Sequence, residues 1–122
     1  MATISPTYTS LAATNRHSTG GIIVQWTPVT SADTCAAADI VDYADRSVQI
    51  TGTFDSATVK LQGSNDGTNF ADLTDPQGNA ISKTAAALEA VMELTAYTKP
   101  TFSGGGASQS LTVTMLCRKE AK

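Results

Sequence analysis

Two stretches of strict alternation constrain this chain more than anything else in it. From Arg46 to Phe54, the residues Val48, Ile50, Gly52 and Phe54 fall on one side, and Ser47, Gln49, Thr51 and Thr53 on the other. Near the C-terminus, Leu111, Val113, Met115 and Cys117 alternate in the same way with Thr112, Thr114 and Arg118. Successive side chains of an extended chain point to opposite faces, whereas a helix repeats every three to four residues. A period of two with an apolar side and a polar side therefore specifies a half-buried antiparallel strand.

The remaining segments read as shorter strands and turns. Gly21 to Thr27 is rich in β-branched and aromatic residues and is expected to stop at Pro28. Between Val29 and Asp45 the pattern weakens, and Ala36 to Tyr43 fits either a turn of helix or an irregular strand. After Asp55-Ser56 the alternation resumes, with Ala57, Val59 and Leu61 inward and Thr58, Lys60 and Gln62 outward. That gap suits a tight hairpin, although Asp-Ser lacks the glycine a primed turn prefers. Gly63 to Asn69 is a loop, because Asn and Asp bond their own backbone and Gly67 accepts a positive φ. Phe70 to Leu73 is a short strand, closed by a turn over Asp75 to Asn79.

Ala85 to Leu94 stays open, with helix-forming composition and Leu88, Val91 and Met92 at helical spacing in a chain of strands. Tyr97 to Phe102 reads as an edge strand because it holds Pro100, and Ser103 to Ala107 as a flexible loop. Trp26, Phe54 and Phe70 fall in strand patterns that predict core. The sum is an all-β chain, better described as an antiparallel β-sandwich or small barrel than as any α/β fold. Residues 1–20 show no strong period and read as an extended N-terminal arm, with residues 21–122 forming the sandwich domain.

Charge and chemistry narrow the function. Charged residues make up 16% of the 122, below the roughly 25% of ordinary soluble domains, and Thr, Ser, Ala and Gly take their place. A net charge of −3, with only Arg118, Lys119 and Lys122 grouped among the basic residues, argues against nucleic acid as a partner. No run approaches the roughly 20 apolar residues that span a bilayer. Met1 to Pro6 lacks the features of a signal peptide, so synthesis and retention in a cytoplasm are expected, with Cys35 and Cys117 as reduced, buried thiols.

His17, the single histidine, sits in the polar arm, and no nucleophile elbow, phosphate loop or zinc-hydrolase motif occurs. The chain is therefore expected to be no enzyme and to carry no cofactor or metal. Asp33, Asp39, Asp42 and Asp45, like Asn65, Asp66, Asp72 and Asp75, lack the spacing of a calcium loop and read as a solvated rim. For sugar stacking, Tyr8, Tyr43 and Tyr97 are the candidate rings.

The segments Ser47–Phe54, Ala57–Phe70, Asp75–Asn79 and Lys99–Gly106, followed by Leu111-Thr112-Val113-Thr114, resemble tailed-phage virion proteins of the small decoration, or cement, type. The likeness covers residues 46 to 118. The Gly63-to-Phe70 piece is also similar to discoidin-like jelly-roll domains.

The decoration resemblance implies a jelly-roll-like sandwich, made in a host cytoplasm, that binds the major capsid protein on the outside of the head. It implies a homo-oligomer, a trimer above all, that stabilises the shell. Ile4, Tyr8 and Leu11 would then be apolar anchors of an arm ordering along a neighbouring subunit. The discoidin-like resemblance implies the alternative, a carbohydrate- or receptor-binding module of a phage particle, although the chain lacks that group's aromatic loop tips and bridging cysteines.

Overall fold

In the fold, the two alternating stretches pair with each other. A computed structural model of the chain describes residues 2–11 and 20–119. In chain order the strands are β1 (Thr3–Ile4), β2 (Thr7–Ser10), β3 (Gly21–Val29), β4 (Thr34–Cys35), β5 (Ala38–Asp39) and β6 (Asp45–Thr53). They continue with β7 (Ala57–Ser64), β8 (Ala71–Asp72), β9 (Ser82–Lys83), β10 (Ala87–Ala90), β11 (Tyr97–Gly104) and β12 (Ser110–Arg118). One five-stranded sheet has the order β10-β6-β12-β3-β2; the other runs β5-β11-β7-β8, with β9 also on β7. Every pairing within these two sheets is antiparallel. The antiparallel β-sandwich expected from the alternation is the observed architecture.

Each sheet turns its apolar side to the other. Leu111, Val113, Met115 and Cys117 are completely buried, and Val24, Trp26, Val48 and Ile50 join them from the neighbouring strands. Ala57, Val59 and Leu61 face them from the second sheet, with Leu73 and Ile81 filling its side. Trp26 has no exposed surface, and its Nε1 donates to the Ala36 carbonyl at 2.9 Å, so its one polar atom is satisfied inside the core. The flanks are tied as well. Lys83 of β9 pairs with Glu89 of β10 at 2.7 Å across the gap between the sheets. On the opposite flank the Asp39 amide of β5 donates to the Tyr8 hydroxyl of β2 at 3.3 Å.

Several local expectations are corrected by long-range pairing. β3 does not stop at Pro28 but continues to Val29. Opposite it, β12 advances from Leu111 to Val113 while β3 advances from Val29 to Trp26, so β3 holds one extra residue there. That bulge asks no ladder bond of the proline and returns Val29 to the core side. Asp55 and Ser56 do make a tight turn, both with positive φ and closed by the Ala57 amide on the Phe54 carbonyl at 2.9 Å. It is not a hairpin, however, because β6 and β7 belong to different sheets. The loop at 106–108 holds this turn in place: the Gly106 amide binds the Asp55 carbonyl and the Ser108 amide binds its carboxylate.

Ala85 to Leu94 contains no helix; β10 pairs along β6 at the edge of its sheet, which buries Val91 and leaves Leu88 and Met92 exposed. Backbone pairing there outweighs a helix propensity too short to stand alone. The weak region resolves into β4 and β5 without a helix. Phe70 does not join the core; it is half-buried, with the Lys99 ammonium 4.3 Å from its ring centre. Gly52, expected inward, is exposed. Pro100 pairs with Leu61 on β7, and β5 on the other side reaches only Tyr97 and Thr98, so the proline faces an open edge as its missing N–H requires.

Candidate interaction face

Register decides what the outside of each sheet displays. Residues paired across strands point to the same side, so the outer face of the β10-β6-β12-β3-β2 sheet can be read row by row. Gln49 lies between Leu88 of β10 and Thr114 of β12, and Thr114 is followed by Gln25 of β3 and Thr7 of β2. The next row runs Ala90, Ser47, Leu116, Ile23 and Thr9. Thr51 and Thr112 form a third, beside Thr27. Neighbouring side chains bond one another: Gln25 Nε2 donates to Thr114 Oγ1 at 3.0 Å, and the Thr27 and Thr112 hydroxyls are 2.6 Å apart. Among the described residues of these rows there is no charged side chain. Charge enters only at one end, where Asp45 and Arg118 pair in register.

The other sheet looks different. Its outer face carries Lys60, which pairs with Asp72 at 3.7 Å, and Lys99 over Phe70. The contrast has a physical consequence. A face of Thr, Gln, Ser, Ile and Leu can be dried against a partner without stripping water from ions, and each threonine offers both a methyl group and a hydroxyl.

At the charged end of the neutral face lies a cleft of about 310 Å³ lined by Asp45, Arg46, Ser47, Leu116 and Arg118. Arg46 forms a wall of it and is only 2% exposed. Its Nε donates to the Tyr43 carbonyl at 2.6 Å, and Nη2 donates to the carbonyls of Ile40 and Thr95 at 2.7 and 2.6 Å. Nη1 donates to the hydroxyls of Thr95 and Thr98 at 3.3 and 3.4 Å. Burial draws its pKa below the ordinary guanidinium value, with Cys117 acting in the opposite sense. The guanidinium is thus a clamp on the chain crossings at 40–43 and 95–98, and not an open anion site. Alternation placed Arg46 on the Val48 face, a signal the charge of the residue concealed.

The candidate anchors occupy three separate positions. Ile4, on β1, runs parallel to Cys35 of β4 and packs against the core. Tyr8, 51% exposed, pairs with Val24 along the sheet edge. Leu11 lies beside Gly21 at the start of β3. Residues 2–11 thus lie along their own domain. His17 and the rest of 12–19 fall outside the described residues, as does Lys122.

Several acidic residues prove to have local work. The Asp66 carboxylate accepts from the amides of Thr68 and Asn69, from Ser64 Oγ and from the Asn69 side chain, and these bonds hold its pKa far below the usual carboxylate range. Asp75, buried, accepts from the amides of Gln77 and Asn79. Asp33 accepts from the Thr30 hydroxyl and amide and from the Ala2 amide; the Thr30 hydroxyl leads in lowering its pKa. Burial raises Glu93, but the hydroxyl and amide of Thr74 outweigh it and leave the pKa lowered. Among the described residues no cluster of His, Cys, Asp and Glu could hold a metal ion. Cys35 and Cys117 are buried free thiols; burial pushes them up to about 12 and about 11.

Among the described residues no helix is long and apolar enough to cross a membrane. No protein-family model matches the chain. No curated protein matches it. Among solved structures, the chain is similar to the crystal structure of the SPBc2 prophage-derived protein YomS, with a TM-score of 0.50 and 13% sequence identity. The likeness covers 82% of this chain and 96% of that one. At this identity the likeness is one of fold: this sandwich has the architecture of a prophage-derived protein.

Proposed function

We propose that this chain is a structural protein of a tailed-phage virion that binds the outer surface of the head and stabilises the shell. The observation that carries this reading is the uncharged outer face of the five-stranded sheet, set against a charged face on the other side. A prophage-derived protein of like fold supports it. In this reading the partner is the major capsid protein, the site of action is the capsid exterior, and the chain works as a homo-oligomer without catalysis. Nucleic acid has no part in it, in keeping with the net charge of −3. The carbohydrate-binding alternative ranks second because, of its three candidate rings, Tyr43 packs against the core and Tyr97 lies close against Gly67, which leaves Tyr8 as the exposed one.

The test is binding to heads of the encoding phage from which this chain has been stripped. Gln49→Glu with Thr114→Glu places two carboxylates in the middle of the neutral face. Burying them in a contact costs several kcal/mol, so affinity should fall about 100-fold or more. Lys60→Glu on the opposite face should bind as the wild type does. Equal losses from both variants, or no binding of the wild type to stripped heads, would overturn the proposal.

A further inference from the structure

The edges of the two large sheets differ in one respect. β10 carries Glu89, β5 carries Asp39, β8 carries Asp72 and β9 carries Lys83, so each of these edge or short strands holds a charge. Such charges keep a sheet from extending into another molecule, because the unpaired N–H and C=O groups of an edge otherwise template a further strand. β2 has no such guard. Thr7-Tyr8-Thr9-Ser10 contains no charge and no proline, is exposed at every residue and pairs with β3 in unbroken register.

We infer that β2 is a self-pairing edge, through which two copies of this chain join their five-stranded sheets antiparallel across a two-fold axis. Edge backbone recognises only another extended strand, and the side chains of β2 suit a second copy of themselves. If both neutral faces are to lie on the same side, residues that pair across the axis must share a face. Tyr8 then pairs with the partner copy's Tyr8, and Thr7 with its Thr9. Aromatic pairs and threonine pairs are both favourable cross-strand neighbours, and no like charges meet. The joined sheets present one continuous uncharged face across both molecules. A two-fold contact of this kind does not itself build a trimer; it joins copies, or trimers, in pairs. A strand of this length makes a small interface, at the weak end of specific contacts, and is strengthened when copies are held side by side.

The experiment is sedimentation equilibrium over a concentration series, with hydrogen exchange, in the same samples, of those amides of Thr7 to Ser10 that point away from β3. Wild type should self-associate and protect these amides as concentration rises. Thr7→Lys with Thr9→Lys sets lysine against lysine twice and should weaken the pair about tenfold. Thr7→Lys with Thr9→Glu sets lysine against glutamate twice in the same register and should restore it. Thermal unfolding checks that the variants keep the fold. Undiminished association of the double lysine variant would overturn the inference. So would a wild type that stays monomeric, or forms trimers, with these amides unprotected at every concentration. Head binding is read separately: its loss with pairing intact counts against the shell-binding proposal alone.

Discussion

Replacing Arg46 by methionine tests how this sandwich is held together at its most unusual buried group. The substitution keeps an unbranched side chain of similar length but removes every donor. Three carbonyls, those of Tyr43, Ile40 and Thr95, then lose partners now at 2.6, 2.7 and 2.6 Å. The Ile40 carbonyl keeps the Tyr43 amide at 3.1 Å, so two acceptors are left alone at about 1–3 kcal/mol each. The lost bonds to the Thr95 and Thr98 hydroxyls, at about 0.5–1.5 kcal/mol each, bring the cost to about 3–9 kcal/mol. Against this, methionine no longer buries a charge, which relieves several kcal/mol. The net expectation is a loss of about 3 kcal/mol, a large share of the roughly 5–15 available to a domain. Guanidinium chloride unfolding should show a lower midpoint at an unchanged slope, and the Tm should fall by about 10 °C. Thr98→Ala, which removes only the 3.4 Å contact and its hydroxyl neighbour, should cost less than about 1 kcal/mol. An Arg46→Met protein within about 1 kcal/mol of wild type would refute the reasoning, since the clamp would then contribute nothing beyond what water supplies.

Gly52→Ala should destabilise by about 3 kcal/mol, because φ there is +116° and a Cβ would sit 2.3 Å from the Ser110 carbonyl oxygen. Gly78→Ala, with φ +89° but open space around it, should cost only about 1 kcal/mol, and chemical denaturation separates the two. Cys35 and Cys117, pushed up to about 12 and about 11, should be alkylated at pH 8 only as fast as the fold opens; rapid native-state labelling would contradict their burial. Asp66 has a folded pKa below its ordinary value of 3.8, so its contribution to the 64–69 loop is complete above that value and is lost as pH falls through the lower folded one. Amide exchange at Thr68 and Asn69 should therefore stay protected to well below pH 3.8, and Asp66→Ala should abolish that protection at neutral pH.

Much of the fold was legible because its causes are local. Val48 and Ile50, and Leu111 through Cys117, show their faces in their order, since a strand's period is a property of the chain itself. The loops around Asp66 and Asp75 were equally readable, because those carboxylates bond amides only a few residues away. The candidate face was half legible. Gln49, Thr51, Thr112 and Thr114 read as outward residues, but nothing local says that they share one surface with Gln25 and Thr7. Arg46 escaped because its partners at Thr95 and Thr98 are 49 and 52 positions away.

By itself, then, the order of residues determined that this chain is built from half-buried strands, where its tightest turns lie and that its surface is poor in charge. Tertiary structure alone decided that Asp55-Ser56 joins two sheets, that β3 passes through Pro28 on a bulge, that Ala87–Ala90 is a strand and that the neutral residues gather on one face. The reason is the range of the forces. Side-chain alternation and turn chemistry act within a few residues, whereas pairing and burial are satisfied only when distant segments meet, and where the two disagree the larger buried area and the complete set of backbone bonds prevail.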